Sequence, residues 1–192
     1  MIREKALKLL HSKMQNQNLR RHCYSVEAVM RKLYRRIEDG HQTQEKEDKW
    51  GIVGLLHDGD YEETKGTPEL HTLRMHEWLK KAGVTDKEIL DAILSHNFVH
   101  TGQNPPKNNL EWSLYCCDEL TRLIVAVALV KDAKLANVTV ESIENKWEKT
   151  GFAGGVDRKQ IEECENRLNI LLREFIEIAL SAMQGIHEDL GL

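Results

Sequence analysis

The sequence predicts an all-α protein. Apolar residues recur at spacings of three and four, which is the period of an amphipathic helix, most clearly over residues 19–37. Only three prolines occur, Pro68, Pro105 and Pro106, and each has turn-like neighbours. Alternation of β-branched and polar residues over the length of a strand is nearly absent. The 192 residues are enough for one domain with a substantial core, so we predict a single domain over residues 1–192.

Local signals divide this chain into separate helices. Asp39-Gly40 ends the first predicted helix and Gly83 ends the third, because glycine adopts the left-handed conformation of a helix cap. A capping-box pattern begins at Thr85. The glycine-rich segment 150–155 lacks the lysine and hydroxyl residue of a phosphate-binding loop, so it is predicted to connect two helices. The predicted helices cover residues 20–38, 45–56, 68–82, 85–97, 110–130, 140–149 and 157–185, with a loop over 98–109.

Composition excludes several classes of protein. The net charge of −4 and the pI near 6.1 give no electrostatic footprint for a nucleic acid polymer. The longest apolar stretch, Leu123 to Leu129, is far too short to span a bilayer, so no membrane partner is expected. Four cysteines show no CxxC pair, and the residues after Met1 do not form a signal peptide. We therefore expect a cytoplasmic protein without disulfides.

The tripeptide Leu56-His57-Asp58 carries the first chemical signal. It ends an apolar run that begins at Trp50, and Gly59 follows it. Burying an imidazole and a carboxylate without partners would cost roughly several kcal/mol. Both side chains bind divalent metals, which would supply the missing partner. The pair therefore predicts a metal site, provided that other ligand-type residues converge on it.

Four further ligand-type residues lie within the apolar stripes of predicted helices. They are His22, His71, His96 and Asp118. A polar group inside an apolar stripe must find a partner in the core. A single such residue is most often a hydrogen-bonded core histidine, but several helices that each point one ligand inward form a known type of metal site. The remaining histidines are predicted to face solvent: His11, His41, His76, His100 and His187.

The ordered set resembles the H…HD…H…H…D pattern of the HD superfamily of metal-dependent phosphohydrolases, which is all-helical. Three stretches carry the resemblance: LRRHCYSVEA over 19–28, GLLHD over 54–58 and LYCCDEL over 114–120. The resemblance covers residues 15–130. It implies an HD-type helical bundle with a metal-binding core over that range, followed by a helical extension over 131–192 that adds no chemistry.

The resemblance also implies a ligand set. His22, His57, Asp58 and Asp118 would hold a first ion, and His71 and His96 would complete a second site with Asp58 as a bridge. The cofactors would be one or two divalent ions, with Mn, Fe, Mg, Zn, Co and Ni all open. Many family members continue as HDIGK, whereas this chain has Gly59-Asp60 after the pair, so the lysine is absent. Asp60 is predicted to join Asp58 as a catalytic residue, in a proton-shuttling or supporting role; Glu62 could share it or simply be solvated.

The expected function is hydrolysis of a phosphomonoester or phosphodiester in a nucleotide or another small phosphorylated metabolite, by a metal-activated water. Three cations are predicted to bind the substrate: Arg122, one turn after Asp118; Arg74, one turn after His71; and Lys131, at the end of the central helix. Each has an alternative as a surface residue. Two other functions stay open: a non-catalytic metal-stabilised or ligand-sensing module, and a di-iron oxygenase, since the six-ligand pattern also resembles inositol oxygenase. Homo-oligomerisation is open as well.

Overall fold

The structure is a computed structural model that describes residues 1–149 and 151–192, and within them every regular element is helical. The prediction of an all-α fold is confirmed. Two 3₁₀ turns, Pro68–Leu70 and Leu135–Asn137, lie between α-helices. The α-helices are α1 (Arg3–Lys13), α2 (Gln17–Ile37), α3 (Gln44–Leu56), α4 (Tyr61–Thr64), α5 (Leu73–Lys81), α6 (Lys87–His96), α7 (Phe98–Thr101), α8 (Asn109–Leu129), α9 (Val140–Trp147), α10 (Arg158–Leu168), α11 (Leu172–Gln184) and α12 (His187–Leu190).

Helices α2 and α8 form the centre of the bundle. Each has 21 residues, and they pack against one another. Helix α3 packs against α2, while α6 packs against both α3 and α8. Helices α10 and α11 pack on α8, and α11 also contacts α2. The C-terminal helices therefore share the core of the bundle, and α2, α3, α6 and α8 meet around one buried region.

The predicted helix over residues 68–82 is interrupted, and this part of the prediction is wrong. A 3₁₀ turn ends at Leu70, and α5 begins only at Leu73. Between them, Thr72 has φ +70°, a conformation that a β-branched residue rarely adopts. The buried carboxylate of Asp60 accepts hydrogen bonds from the His71 ring and from the Met75 N–H, which hold the two sides of the break. The break separates His71 from the helix.

The predicted helix over residues 157–185 is also wrong, because it is two helices. Helix α10 ends at Leu168, and Asn169 adopts the left-handed conformation with φ +55°. Asparagine tolerates that conformation better than most residues do. The carboxylate of Glu165 then accepts the N–H of Leu172, the first residue of α11. The chain reverses without a glycine, which is why the sequence pattern did not mark the boundary.

The other predicted helices are present with shifted ends. The cap before α6 is Asp86 rather than Thr85, because the Asp86 carboxylate accepts the N–H of Glu88. The predicted loop over 98–109 contains the short helix α7, which is capped by Gly102 with φ +67°. Helix α9 ends at Trp147, two residues before the predicted end. Thr150, the first residue of the predicted connection, lies outside the described residues.

Two findings in the described part of the chain concern its cysteines and its apolar segments. The four cysteines, Cys23, Cys116, Cys117 and Cys164, are all buried and unpaired. Over residues 1–149 and 151–192, none of the helices combines the length and the apolar content that crossing a membrane requires.

Gly54 allows α2 and α3 to pack closely. A Cβ atom at Gly54 would lie 2.8 Å from the carbonyl oxygen of Val26 and 2.9 Å from the amide nitrogen of Glu27, and backbone cannot move aside as a side chain can. We expect Gly54→Ala to lower the free energy of unfolding by about 2 kcal/mol through overpacking, as measured by urea denaturation. Gly66→Ala is the control, since nothing lies within 4 Å of its Cβ position. Equal stability of the two variants would contradict this account.

Candidate metal centre

Six histidine and aspartate side chains converge where the central helices meet. His22 comes from α2, His57 and Asp58 follow α3, His96 is the last residue of α6, and Asp118 lies in the middle of α8. His71 reaches the same region from the break before α5. Three groups of three ligand atoms lie within 4.8 Å of one another: His22, His57 and Asp58; His57, His96 and Asp118; and Asp58, His71 and His96. The structure thus brings together all six predicted ligands.

One half of the cluster surrounds an oxygen of Asp118. Its Oδ1 lies 2.8 Å from Nε2 of His22 and 3.7 Å from Nε2 of His57. Despite these distances, all three atoms are buried and lack a hydrogen bond of acceptable geometry. Buried polar atoms without partners are costly, and native structures rarely keep them. A divalent ion is the partner that two imidazole nitrogens and a carboxylate oxygen suit, so these residues fit a metal.

The other half of the cluster surrounds Asp58. Its Oδ1 lies 3.2 Å from Nε2 of His71 and 3.2 Å from Nε2 of His96. Its second oxygen, Oδ2, lies 3.6 Å from Nε2 of both His22 and His57. The two oxygens of one buried carboxylate therefore face two different pairs of histidines. This arrangement suits a bridging ligand between two ions.

Hydrogen bonds behind the cluster orient two of the histidine rings. Nδ1 of His57 donates to the carbonyl oxygen of Gly54 at 2.8 Å, which leaves Nε2 as the ligand atom. Nδ1 of His71 donates to Oδ1 of Asp60 at 2.8 Å, and Oδ2 of Asp60 accepts the N–H of Met75 at 3.0 Å. Such second partners fix the orientation of a ligating histidine and increase its basicity. Asp60 therefore lies behind the cluster, in contact with the ring of His71.

Both central carboxylates are ionised. Burial alone would raise the pKa of Asp58, but His57, His71 and His96 hold that pKa well below its usual range. Burial likewise acts to raise the pKa of Asp118, and Arg122 together with His22 and His57 holds it well below the usual range. The cluster therefore presents two negative charges to a cation.

The surroundings shift the pKa values of His71 and His96 in opposite directions. Burial acts to lower the pKa of His71, but its hydrogen bonds to Asp58 and Asp60 outweigh burial and raise that pKa to about 10. Burial is also the largest effect on His96, and there it lowers the pKa despite the contact with Asp58. Without a metal, His71 carries the proton that balances Asp58. A metal ion that binds Nε2 of His71 must displace that proton.

Arg122 lies at the open side of the cluster. Its Nε is 3.3 Å from Oδ1 of Asp118, and one Nη is 3.7 Å from Oδ2 of Asp58. The other Nη lies 3.5 Å from Oε1 of Glu119. The side chain is 37% exposed, so part of the guanidinium remains accessible to a ligand. Arg122 is thus a cation beside both carboxylates of the cluster and in reach of solvent.

Glu119 lies beside the cluster, and no pattern in the sequence predicts this position. Its Oε2 accepts the N–H of Asp157 at 2.9 Å, which attaches the start of α10 to α8. Burial raises the pKa of Glu119 to about 7, and the neighbouring charge of Asp118 adds to this effect. Its position next to Asp118 was the only available signal, since a contact between residues 38 apart in sequence has no local pattern.

The structure does not bring Arg74 or Lys131 to the cluster. Nη1 of Arg74 lies 3.5 Å from Glu77 and its Nε 3.9 Å from Glu63, so the side chain pairs on the surface of α5. The predicted one-turn spacing from His71 does not apply, because the helix begins after His71. Lys131 follows the end of α8 and lines neither cavity described below. The five remaining histidines do not join the cluster: His11, His41, His100 and His187 are exposed, and His76 is half-buried.

Two cavities open onto the cluster. The first has a volume of about 520 Å³ and lies mainly between α2 and the second half of α8. Most of its accessible wall area is apolar, although half of its lining residues are polar, and we call it the apolar cavity. The second has a volume of about 380 Å³, includes His71, His96 and Glu119 in its walls, and is called the polar cavity. The two share Asp58, Tyr61 and Arg122. A ligand in either cavity can therefore reach the cluster.

No family model, curated protein or solved structure matches this chain.

Asp60 provides a test of the second half of the cluster. We expect Asp60→Ala to weaken metal binding about 10- to 100-fold, because the His71 ring loses the carboxylate that orients it. Competition with a chelating dye measures the change. Glu63→Ala, an exposed carboxylate in the same segment, is the control and is expected to bind metal as the wild type does. Wild-type affinity in Asp60→Ala would assign Asp60 a role in folding alone.

Proposed function

We propose that this protein is a metal-dependent phosphohydrolase of the HD type, which hydrolyses phosphate esters of nucleotides or other small metabolites. The observation that carries the proposal is the convergence of His22, His57-Asp58, His71, His96 and Asp118, in the order H…HD…H…H…D, on one buried cluster. The buried ligand atoms without hydrogen bonds support a metal there. Arg122 supports an anionic substrate, because its accessible guanidinium lies beside the ligating carboxylates.

The ligand atoms suggest how two ions would be shared. His22, His57, Asp58 and Asp118 would hold one ion, and His71 and His96 would hold the other together with Asp58. Mixed imidazole and carboxylate ligands suit Mn, Fe, Zn, Co and Ni, and Mg remains open. When bound, such ions lower the pKa of water and polarise a phosphoryl oxygen.

The chain's own residues supply orientation and charge. Gly54 and Asp60 hold the rings of His57 and His71 so that both Nε2 atoms face the cluster. Arg122 offsets negative charge on the phosphoryl oxygens, as cations do in other phosphoryl transfer sites. In-line displacement needs the attacking and leaving oxygens on opposite sides of phosphorus. Two cavities that meet at Asp58 and Arg122 provide space for both.

Removing the Arg122 charge is expected to weaken substrate binding while leaving metal content unchanged. A charge-assisted hydrogen bond contributes about 1.5–3 kcal/mol, so kcat/KM of Arg122→Met should fall roughly 10- to 100-fold, mainly through KM. Arg122→Lys should recover part of the loss, because it restores the charge without the planar fork. Steady-state kinetics with parallel metal analysis checks this. Loss of metal with an unchanged KM would contradict a role in substrate binding.

The function itself is tested by loading the purified protein with Mn²⁺, Mg²⁺, Co²⁺, Zn²⁺ or Fe²⁺ and measuring phosphate release from nucleotides, sugar phosphates and simple aryl phosphates. We expect metal-dependent release from at least one ester, with no oxygen consumption. Oxygen consumption by the iron-loaded protein would favour the oxygenase alternative. If no ester is hydrolysed and no oxygen is consumed, the proposal is overturned in favour of a metal-stabilised or ligand-sensing module.

A further inference from the structure

The apolar cavity has the size and walls of a site for a small organic molecule. Its volume of about 520 Å³ lies within the usual range for ligand pockets. It extends along α8 from Arg122 to Leu129, which at 1.5 Å per residue is about 10 Å. Leu19, Val125, Leu129, Leu190 and Leu192 form the apolar part of its wall, and Asn18, Ser25 and Tyr61 add polar atoms. The apolar part of the wall suits a hydrocarbon or aromatic group.

One cation of this cavity has no partner among the residues that the structure describes. Arg21 lines the wall and is half-buried, yet no hydrogen-bond acceptor or carboxylate of the described residues pairs with its guanidinium. Within residues 1–149 and 151–192, every other arginine has a carboxylate or carbonyl partner. A guanidinium that loses part of its hydration without gaining a partner is left with an uncompensated cost, which a bound anion would remove.

The position of Arg21 is separate from the metal cluster. Arg21 precedes His22 in the sequence, but successive residues of a helix point about 100° apart. Among the described residues, Arg21 makes no ion pair with Asp58 or Asp118, whereas His22 and Arg122 do. Its guanidinium packs instead against Gly191, where a Cβ atom would lie 2.7 Å from one of its nitrogens. Gly191 has φ +67° and caps α12, so a residue without a side chain leaves room for the guanidinium. Arg122 and Arg21 thus occupy two distinct places along one cavity.

We propose that the apolar cavity binds an amphipathic phosphate ester that has an apolar body and a second anionic group, and that Arg21 binds this second group. The assignment of the phosphate end rests on the proposed function, in which Arg122 and the metal cluster bind the phosphate. The apolar body lies along Val125 and Leu129. The second group is a carboxylate or a further phosphate, since a guanidinium binds either in the same forked geometry.

The test uses non-hydrolysable probes, so that it does not depend on turnover. Alkylphosphonates of four to ten carbons, each with a methyl, carboxylate or second phosphonate at the far end, are titrated calorimetrically into Mn²⁺-loaded protein. We expect one chain length at which the charged end improves affinity about tenfold or more over the methyl end. Arg21→Met should abolish that improvement without weakening the methyl-ended probe, and Arg21→Lys should restore part of it. Arg74→Met, an arginine paired with Glu77 outside both cavities, is the control.

The outcomes separate this inference from the proposed function. An Arg21-dependent preference without hydrolysis of any ester supports the binding site and overturns the hydrolase. Hydrolysis of simple aryl phosphates, with every probe binding the wild type and the Arg21→Met variant equally well, supports the hydrolase and overturns this inference. Comparison of the affinities of the carboxylate-ended and phosphonate-ended probes identifies the anionic group that Arg21 binds. Failure of every probe to bind overturns the inference.

Discussion

Asp58→Ala is expected to abolish both metal binding at the cluster and phosphate release. The carboxylate of Asp58 has one oxygen 3.2 Å from Nε2 of His71 and His96, and the other 3.6 Å from Nε2 of His22 and His57. Its removal therefore deprives both halves of the cluster of a shared ligand. At a metal concentration 100 times Kd, the wild type should gain about 2.7 kcal/mol of stability by linkage, and Asp58→Ala should gain none.

The measurement is thermal unfolding with and without Mn²⁺, together with metal content and phosphate release. A gain of that size corresponds to a rise in Tm of roughly 5–11 °C for a chain of this length. Asp91→Ala, a partly exposed residue of α6 that pairs with Lys87, is the control and should keep both metal and activity. Asp58→Asn repeats the test with nearly unchanged volume, should the alanine variant fold poorly. A metal-dependent Tm shift in both Asp58 variants would contradict the assigned ligand.

His71→Ala and His96→Ala are each expected to remove about one equivalent of metal while leaving the other half of the cluster able to bind. Both Nε2 atoms lie 3.2 Å from the same oxygen of Asp58, whereas Nε2 of His22 and Nε2 of His57 lie 2.8 and 3.7 Å from Oδ1 of Asp118. The loss should be accompanied by a large fall in phosphate release, because two-metal sites stabilise both the attacking and the leaving oxygen.

Elemental analysis after equilibrium dialysis measures the stoichiometry, and circular dichroism checks the fold. His76→Ala is the matched control, since His76 is half-buried in α5 and outside the cluster. It should retain the wild-type number of ions. If both His71→Ala and His96→Ala also retain that number, these two residues are core histidines and the site holds a single ion.

Most of the longer helices and the members of the cluster could be predicted because their signals are local. Polar residues such as His22 and Asp118 stand out in apolar stripes, and a stripe specifies which side chains face the core. The pair His57-Asp58 stands out at the end of an apolar helix. Convergence of these residues follows once the helices pack on one another, since each stripe must be buried.

The remaining features depend on contacts between distant parts of the chain. The break at Thr72 arises because Asp60 binds both His71 and the Met75 N–H, and no local pattern marks it. Because of that break, Arg74 lies on the surface, whereas the helical spacing from His71 predicted that it faces the substrate. Glu119 likewise accepts a hydrogen bond from the N–H of Asp157, which is 38 residues away in sequence. Long-range hydrogen bonds of buried carboxylates therefore determine the helix break and the surroundings of Glu119, which helical periodicity could not predict.

The central claim is that the six-residue cluster binds divalent metal. Anomalous diffraction from crystals grown with Mn²⁺ tests it most directly. We predict a strong anomalous peak between Nε2 of His22, Nε2 of His57 and Oδ1 of Asp118, at about 2.0–2.3 Å from each, and a second peak near Nε2 of His71 and His96. An anomalous map without a peak in this cluster, in a protein whose six side chains converge as described, would contradict the claim.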